Sequence, residues 1–549
     1  MSHIIEQLSL FNESNDSKKL NSVLIFELSK DMKEKLDNYS IEQYVKDVEK
    51  IGLSATWDNI CSYILQFGEK NELINISNFG EMYEIGLATE DKIKKKKSGQ
   101  YYTPDDVALV MSQWLDKCDG DNVCDVACGT GKLILTYLDY IGKRKALNLL
   151  KNGRLYLYDY DRVALKVCKT SLLVKYGQDL CDSIHDVYCD FLDKNVVLPE
   201  NCKTISNPPY AAMQDISNNW ILTDVIRESH EWYSSFMDKI FSQSKSTVII
   251  TPYSFVSGNK FYSLRKKMCE LGNGFVVVFD NVPGNIFCGR KHGIFNTNTA
   301  NSVRAAITVL KTSNTKKGFR ISPMIRFKNE ERKELLKCEI LESTINDDVQ
   351  IVNDKNKSFK KVSKELKHVY DNWINSSTLT VKDLISKKQN DYMIDMPNTC
   401  RYNTTASSTK LSRGGSITFY VNNEDEYYFL YCFINSSFTY WWWRIYDGGI
   451  TYPSSLLNSM PVPFNKLTQK DKEEFKEIAK EMISKEKDYI STKVNAGVVQ
   501  ENIKFPDKYK NLINSKILHI LECNDEPSIF DQVHANKFFI ECEDSDGIK

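Results

Sequence analysis

VCDVACGTGKL, residues 123–133, predicts a short buried strand, a glycine turn and the first residues of an apolar helix. Glycine lets a ligand approach the backbone closely, and the free N–H groups at a helix N-terminus attract a carboxylate or a phosphate. The stretch lacks the third glycine of the dinucleotide-binding fingerprint. It also differs from a Walker A loop, because Leu133 rather than Ser or Thr follows Lys132. A ligand that carries a carboxylate, such as S-adenosylmethionine, fits this turn better than a dinucleotide or a nucleoside triphosphate.

A second distinctive feature is the tetrapeptide Asn207-Pro208-Pro209-Tyr210, which follows a short apolar segment at 203–206. Two consecutive prolines end a strand at once, because neither can donate a ladder hydrogen bond. The amide oxygen of Asn207 and the carbonyl of Pro208 can accept both hydrogens of an exocyclic amino group, and Tyr210 can stack on a planar ring. The turn therefore predicts a binding site for a base. The alternative is a rigid turn at the end of a strand that has no catalytic role.

Acidic residues end two further predicted strands. LYLYDYD, residues 155–161, ends in two acids, of which we favour Asp159 over Asp161 as the acceptor of ribose hydroxyl hydrogens. Asp190 and Phe191 follow the next strand. A carboxylate there can accept a hydrogen bond from an adenine amino group, while the phenyl ring packs against the purine.

With these motifs in this order, the chain resembles the amino-methyltransferases that modify adenine N6 in DNA with S-adenosylmethionine, and within them the γ class. In that class a cofactor-binding element precedes the glycine strand, the catalytic tetrapeptide comes later, and target recognition lies C-terminal. GQYYTP, residues 99–104, is the leading element here, and GEMYE, residues 80–84, resembles a segment that precedes it in modification subunits. The resemblance covers residues 80–312 and, more loosely, a C-terminal stretch.

The resemblance implies a complete set of site residues. Asn207, Pro208, Pro209 and Tyr210 would be catalytic and would hold a flipped-out base, and Thr103 would contact the methionine end of the cofactor. The residues expected to bind the cofactor are Tyr102, Thr103, Asp125, Ala127, Cys128, Gly129, Gly131, Asp159, Asp190, Phe191 and Asn207.

The resemblance also implies a second aromatic residue that packs on the flipped base. Phe287 is the candidate, in NIFCGR at 285–290. Because the segment between it and the strand at 303–310 is longer than expected, Phe295 competes for this role, and a core phenylalanine is the third interpretation.

The expected fold class is α/β, with a Rossmann-like class I methyltransferase sheet. The chain has 549 residues, which is too long for one hydrophobic core. Strand and helix patterns alternate over 96–312, the expected S-adenosylmethionine-dependent catalytic domain. We expect an N-terminal helical region over 1–95, an α+β target-recognition domain over 313–465 and a C-terminal helical region over 466–549.

Charge is balanced overall but not locally. The chain holds 72 Lys and Arg against 73 Asp and Glu, yet residues 315–420 have an excess of seven basic residues. Lys96 and Lys97, in a lysine run before the leading element, could contact phosphates, although such a run is more often a solvated linker. Arg444 lies in the aromatic segment FTYWWWR, residues 438–444. It could reach DNA, while the tryptophans there are expected to form the core of a small domain.

The composition argues against several other classes of protein. The 15 cysteines include no CxxC pair and only seven histidines are present, so we expect no metal site. No apolar run has membrane length, and the N-terminus lacks an export pattern. We therefore expect a cytoplasmic protein, encoded by a bacterium or a phage, that uses S-adenosylmethionine and binds double-stranded DNA without a membrane or a metal.

Three alternatives remain open at the level of sequence. The chain could be a modification subunit that needs a separate specificity subunit, or it could partner a cognate restriction nuclease. Protein-glutamine methyltransferases also use an Asn-Pro-Pro-Tyr turn, but they are typically shorter and lack the leading element. N4-cytosine methylation is possible too, although such enzymes more often carry Ser in place of Asn207. The DNA sequence recognised cannot be deduced.

Overall fold

A computed structural model of the chain describes residues 103–288, 303–399, 403–495, 498–535 and 538. The predicted N-terminal helical region and the candidate residues Tyr102, Lys96, Lys97 and Phe295 lie outside the described residues. The chain divides into two compact units. The first comprises residues up to Phe319, Arg332–Ser343 and Ile351–Lys357, and the second comprises Arg320–Glu331, Thr344–Gln350 and Ser358–Lys549.

One sheet dominates the first unit. Its strands are β1 Asn122–Val126, β2 Leu155–Asp159, β3 Ile184–Tyr188, β4 Cys202–Ser206, β5 Ser246–Pro252, β6 Gly272–Phe279, β7 Ala305–Thr312 and β8 Gly318–Ile325. Among the described residues the strand order is β3-β2-β1-β4-β5-β7-β6-β8, and the chain passes from the first unit to the second within β8.

The first five strands are parallel, and β7 is antiparallel to its neighbours β5 and β6. Val248, Ile249 and Ile250 of β5 are fully buried, as expected for a parallel strand covered on both faces. The prediction of a Rossmann-like class I methyltransferase sheet is therefore confirmed.

Helices flank these strands in the sequence of the first unit. They are α1 Asp105–Asp116, α2 Lys132–Ile141, α3 Lys143–Lys151, α4 Arg162–Tyr176, α5 Asp224–Ser229, α6 Trp232–Gln243, α7 Tyr262–Leu271, α8 Arg332–Leu335 and α9 Cys338–Ser343. In α6 the buried side chains Tyr233, Phe236, Met237, Ile240 and Phe241 recur every three or four residues. This spacing places them on one face of the helix.

The order of the strands reverses at β1, which has β2 on one side and β4 on the other. In an open α/β sheet such a reversal leaves a crevice outside the carboxyl ends of the strands. Val126 pairs with Ser206 at this end, and the Ser206 hydroxyl donates to the Val126 carbonyl at 2.6 Å. The turn after β1 and the turn after β4 therefore start side by side.

The second unit is α+β. Its strands are β9 Leu379–Thr380, β10 Met393–Pro397, β11 Ser416–Tyr420, β12 Pro461–Val462, β13 Ile490–Asn495 and β14 Val498–Ile503. Its helices are α10 Lys367–Ser376, α11 Val381–Leu384, α12 Glu424–Ile434, α13 Ser437–Tyr446, α14 Ser454–Asn458, α15 Gln469–Ser484, α16 Glu486–Tyr489, α17 Asp507–Ile520 and α18 Asp531–His534. The domain boundary predicted between residues 465 and 466 lies inside this unit.

The aromatic segment of the second unit is a core helix. Trp441, Trp442 and Trp443 are at most 5% exposed, and Trp441 stacks on Trp373 of α10 with ring centroids 5.9 Å apart. The tryptophans therefore stabilise the unit by burial of large apolar rings. Within the described part of the chain, no helix is both long and apolar enough to cross a membrane.

A buried arginine closes the loop after β5. Arg265 of α7 is 1% exposed, and its guanidinium donates to the carbonyls of Phe255, Gly258 and Lys357 at 2.6 to 2.9 Å. Burial lowers the pKa of Arg265 to about 10, so the group stays charged at neutral pH. The side chain thereby satisfies three backbone carbonyls that a loop would otherwise expose to water.

We expect Arg265→Met to lower the free energy of unfolding by about 2–4 kcal/mol, because charged hydrogen bonds are lost and buried carbonyls are left unpaired. Chemical denaturation of the full chain measures this. Lys266→Met, at a partly exposed neighbour, is the control and should change stability by less than about 0.5 kcal/mol. Equal stability of the two variants would contradict the assigned role of Arg265.

Candidate active site

The glycine turn after β1 has a backbone that few residues can adopt. Ala127, Gly129 and Gly131 have φ angles of 59°, 52° and 89°, in the left-handed region that favours glycine. A Cβ atom at Gly131 would lie 2.5 Å from the Sγ atom of Cys168, so glycine is required there for space as well as for conformation. Gly131 precedes α2, and the turn therefore presents the N-terminus of that helix toward the crevice.

Asp159, at the end of β2, closes one side of this turn. Its Oδ2 accepts from the Gly129 N–H at 2.7 Å and its Oδ1 from the Asp161 N–H at 2.7 Å. Burial raises the pKa of Asp159 to about 6, and these backbone hydrogen bonds oppose the rise. Each oxygen keeps a further lone pair that can accept from a ligand hydroxyl.

Asp125, at the base of the same turn, is a second buried acid. It is fully buried, and neither carboxylate oxygen has a hydrogen-bond partner of normal geometry within the described residues. Burial raises the pKa of Asp125 well above its ordinary value, the charge of Asp159 raises it further, and the Ile134 N–H opposes the change. Two acids near each other favour a positively charged ligand at this turn.

The tetrapeptide Asn207-Pro208-Pro209-Tyr210 leaves β4 beside the glycine turn. The Asn207 amide donates through Nδ2 to the Thr103 hydroxyl at 3.0 Å. The Tyr210 hydroxyl lies 2.6 Å from Asn207 Oδ1 and 3.1 Å from the carbonyl oxygen of Ile250 in β5. The structure thus brings together the leading element and the tetrapeptide, which the sequence analysis treated as separate motifs.

Two aromatic rings lie beside the ring of Tyr210. Tyr233 and Phe287 lie edge-on to it, with centroids 6.4 Å and 5.8 Å away. Phe287 is 1% exposed, and the Arg332 guanidinium holds its segment by donating to the Asn285 and Ile286 carbonyls at 2.9 and 2.6 Å. Phe287 therefore contacts the proposed base-stacking tyrosine from a buried position, and its own stacking role stays a prediction.

Asp190 and Phe191 follow β3 at the same edge of the sheet. Asp190 Oδ1 accepts from the Leu192 N–H at 3.0 Å, and Oδ2 accepts from the Trp220 indole N–H at 2.7 Å. Phe191 is 3% exposed and lies 5.9 Å from the Tyr158 ring. Asp190 is partly exposed and Phe191 is buried, and their role as an adenine subsite stays a prediction.

One candidate stands apart from this edge. Arg444 belongs to the second unit and is 7% exposed. Its guanidinium donates to the Met324 carbonyl at 2.6 Å, so it is directed into the unit rather than to solvent. Contact between Arg444 and DNA stays a prediction.

Sequence reasoning missed three contributors to the site. Ile250 acts through a backbone carbonyl, and Tyr233 and Trp220 act through tertiary contacts. None of them belongs to a motif. The only available signal was their position in the chain. Trp220 lies in the segment directly after the tetrapeptide, and Tyr233 lies in α6, the second helix after it.

The chain is similar to methylase subunits of type I restriction enzymes. It is 25% identical over 149 residues to the MjaIX methylase subunit of Methanocaldococcus jannaschii, covering 27% of this chain and 25% of the relative. It is 25% identical over 155 residues to the MpnII methylase subunit of Mycoplasma pneumoniae, covering 26% of this chain and 27% of the relative. The matches thus span about a quarter of the length of these relatives.

Among solved structures, the chain is similar to a nuclease-deletion mutant of the type ISP restriction-modification enzyme LlaGI in complex with a DNA substrate mimic. The similarity covers 85% of this chain and 62% of that chain, with a TM-score of 0.42 and 13% identity. The N-6 DNA methylase family model matches residues 75–369. This match contains the glycine turn, the acids after β2 and β3 and the tetrapeptide, and it covers more than half of the chain. The protein therefore belongs to the N-6 DNA methylase family.

Proposed function

We propose that this chain transfers a methyl group from S-adenosylmethionine to N6 of a flipped-out adenine in double-stranded DNA. The observation that carries the proposal is the contact among Thr103, Asn207 and Tyr210. It joins the element expected to hold the methionine end of the donor to the turn expected to hold the base. It lies beside the glycine turn at the edge where an α/β sheet binds its ligands.

The residues of the crevice fit S-adenosylmethionine. The N-terminus of α2 suits the carboxylate of the methionine end, and the Asp159 carboxylate suits the ribose hydroxyls. Asp190 and Phe191 suit the adenine ring, and a cation at this turn would favour the ionised forms of Asp125 and Asp159, whose pKa values burial raises. When bound, S-adenosylmethionine supplies an electrophilic methyl group on its sulfonium.

The catalytic turn would act on the amino group of the base. An aromatic amino nitrogen is a poor nucleophile because its lone pair is conjugated with the ring. When Asn207 Oδ1 and the Pro208 carbonyl accept its two hydrogens, the nitrogen becomes pyramidal and its lone pair can point at the methyl group. Most of the acceleration would come from positioning and from electrostatic complementarity. The base must leave the duplex to reach the turn, and Tyr210 would replace part of the lost stacking.

Two arrangements of target recognition remain. The second unit would carry the recognition surface if the chain acts alone. The similar proteins of M. jannaschii and M. pneumoniae are described as methylase subunits, which favours the other arrangement, a modification subunit that works with a separate specificity subunit.

Methylation of DNA by the purified full chain tests both the function and the arrangement. The chain is incubated with methyl-labelled S-adenosylmethionine and unmethylated genomic DNA, and nucleosides are then separated and the DNA sequenced with modification detection. Label in N6-methyladenine at one short motif supports a self-sufficient enzyme. Label that appears only after a specificity subunit is added supports the second arrangement. Label in protein or cytosine, or in no acceptor under either condition, contradicts the proposal.

We expect Asn207→Ala to reduce kcat on the order of a hundredfold or more, because the acceptor for the amino hydrogens is lost. Affinity for S-adenosylmethionine, measured by calorimetry, should change less than about threefold, since Asn207 is one of many expected cofactor contacts and those at the glycine turn and at Asp159 remain. Asn218→Ala, at an exposed asparagine in the following segment, is the matched control and should keep full turnover. Parallel loss of cofactor affinity and turnover in Asn207→Ala would contradict the catalytic role.

We expect the affinity for S-adenosylmethionine to depend on pH through Asp159, whose pKa burial raises to about 6. Ribose hydroxyls donate to the carboxylate, so affinity for S-adenosylmethionine should fall as the pH drops through about 6, by at most about tenfold per pH unit. Stability of the unliganded chain should change in the opposite sense. Because the pKa of Asp159 is higher in the folded chain than in the unfolded chain, this group stabilises the fold at pH values below its ordinary pKa. The contribution is lost as the pH rises through about 6.

Calorimetry between about pH 5 and pH 8 measures the effect on affinity. Asp159→Asn should bind S-adenosylmethionine weakly at every pH, with the dependence near pH 6 removed. Asp161→Asn, at the neighbouring acid, should retain the dependence. A dependence that survives in Asp159→Asn would assign it to another group.

A further inference from the structure

Trp220 connects the segment after the catalytic turn with the loop after β3. It lies ten residues beyond Tyr210 and is 8% exposed. Its indole N–H donates to Asp190 Oδ2 at 2.7 Å. The backbones of the two segments are paired as well. Asp193 and Trp220 form an antiparallel bridge, and the Lys194 N–H donates to the Asn219 carbonyl at 3.0 Å.

The other end of this segment is fixed to the start of α6. Ala212 forms an antiparallel bridge with Glu231, and the Met213 N–H donates to the His230 carbonyl at 2.8 Å. The Trp220 ring lies edge-on to Trp232, with centroids 5.2 Å apart. The segment is therefore held along its length, and the indole of Trp220 has little freedom to turn away from Asp190.

The loop after β3 is also held from the opposite side. The Lys239 ammonium of α6 donates to the Phe191 and Asp193 carbonyls at 2.6 and 2.7 Å, and it lies 4.9 Å from the centre of the Phe191 ring. The backbone that carries Asp190 is thus fixed by α6, while the orientation of the Asp190 carboxylate depends on the Leu192 N–H and the Trp220 indole.

We propose that Trp220 is a positioning residue for the adenine subsite of the cofactor. With one donor on each oxygen, the plane of the Asp190 carboxylate is fixed, and its remaining lone pairs are presented to the adenine amino group. The inference rests on the proposed use of S-adenosylmethionine. It adds that the segment leading away from the proposed catalytic turn contributes, through Asp190, to recognition of the donor's base, so that the two ligand sites share one structural element.

A double-mutant cycle on the full chain tests this inference. The variants are Trp220→Phe, which keeps a ring and loses the N–H donor, Asp190→Asn and the double variant. Calorimetry gives the affinity of each for S-adenosylhomocysteine and for S-inosylhomocysteine, which carries a carbonyl in place of the adenine amino group. The ratio of the two affinities reports amino-group recognition and is insensitive to a general loss of folded protein.

We expect Trp220→Phe to reduce this ratio about tenfold, the effect of one hydrogen bond to a charged group. Asp190→Asn should reduce it at least as much, and the double variant should lose no more than Asp190→Asn alone, because Trp220 acts through Asp190. Trp220→His, which keeps a ring N–H, should recover part of the ratio. Trp232→Phe, at the neighbouring indole, is the matched control and should leave the ratio unchanged.

An unchanged ratio in Trp220→Phe would overturn the inference while leaving the proposed function intact, and so would additive losses in the double variant. If Trp220→Phe does not fold, equal discrimination in Asp190→Asn and wild type overturns it as well. If the wild-type chain binds neither S-adenosylmethionine nor S-adenosylhomocysteine, the proposed function fails, and the inference fails with it.

Discussion

The parallel pairing of β1 with β4 is the constraint on which the candidate site depends. Because Val126 pairs with Ser206, the turns that follow these strands are adjacent although some 80 residues separate them in sequence. Neither turn can move along the sheet without breaking the register of a buried parallel ladder, and a shift by one residue would direct every side chain to the opposite face. The backbone thus places the glycine turn and the tetrapeptide, the proposed donor-binding and base-binding turns, at one edge before any side chain contributes.

The same edge concentrates buried charge. Asp125 and Asp159 have raised pKa values, chiefly because of burial. A fold selected only for stability would replace such acids with apolar or hydrogen-bonded residues. A cation bound in the crevice would favour the ionised form of each acid, and the sulfonium of the proposed donor carries such a charge.

The sequence was sufficient to place the glycine turn between a strand and a helix, an acid at the end of the next strand and the tetrapeptide after a later strand. Gly131, Asp159 and Asn207 could be placed because each depends on a local signal, namely a glycine turn, a strand-end acid and an amide before two prolines. Ile250 could not, because a backbone carbonyl leaves no trace in residue type. Trp220 could not either, since its importance arises from a contact across 30 residues of chain. Arg444 shows a second limit: its sequence position does not reveal that its guanidinium donates to a carbonyl of the same unit, and its contact with DNA stays a prediction.

Tyr210 shows how a hydroxyl can make an aromatic surface ready for a base. Its OH group lies within hydrogen-bonding distance of Asn207 Oδ1 and the Ile250 carbonyl, and the edges of Tyr233 and Phe287 limit the rotation of its ring. A phenylalanine at this position would keep the stacking surface but lose the anchor on β5. A ring fixed in this way loses little conformational entropy when a base stacks on it, so more of the stacking energy remains to offset the cost of removing the base from the duplex. The same hydroxyl contacts the Asn207 amide, so one interaction positions both the proposed stacking surface and the proposed acceptor of the amino hydrogens.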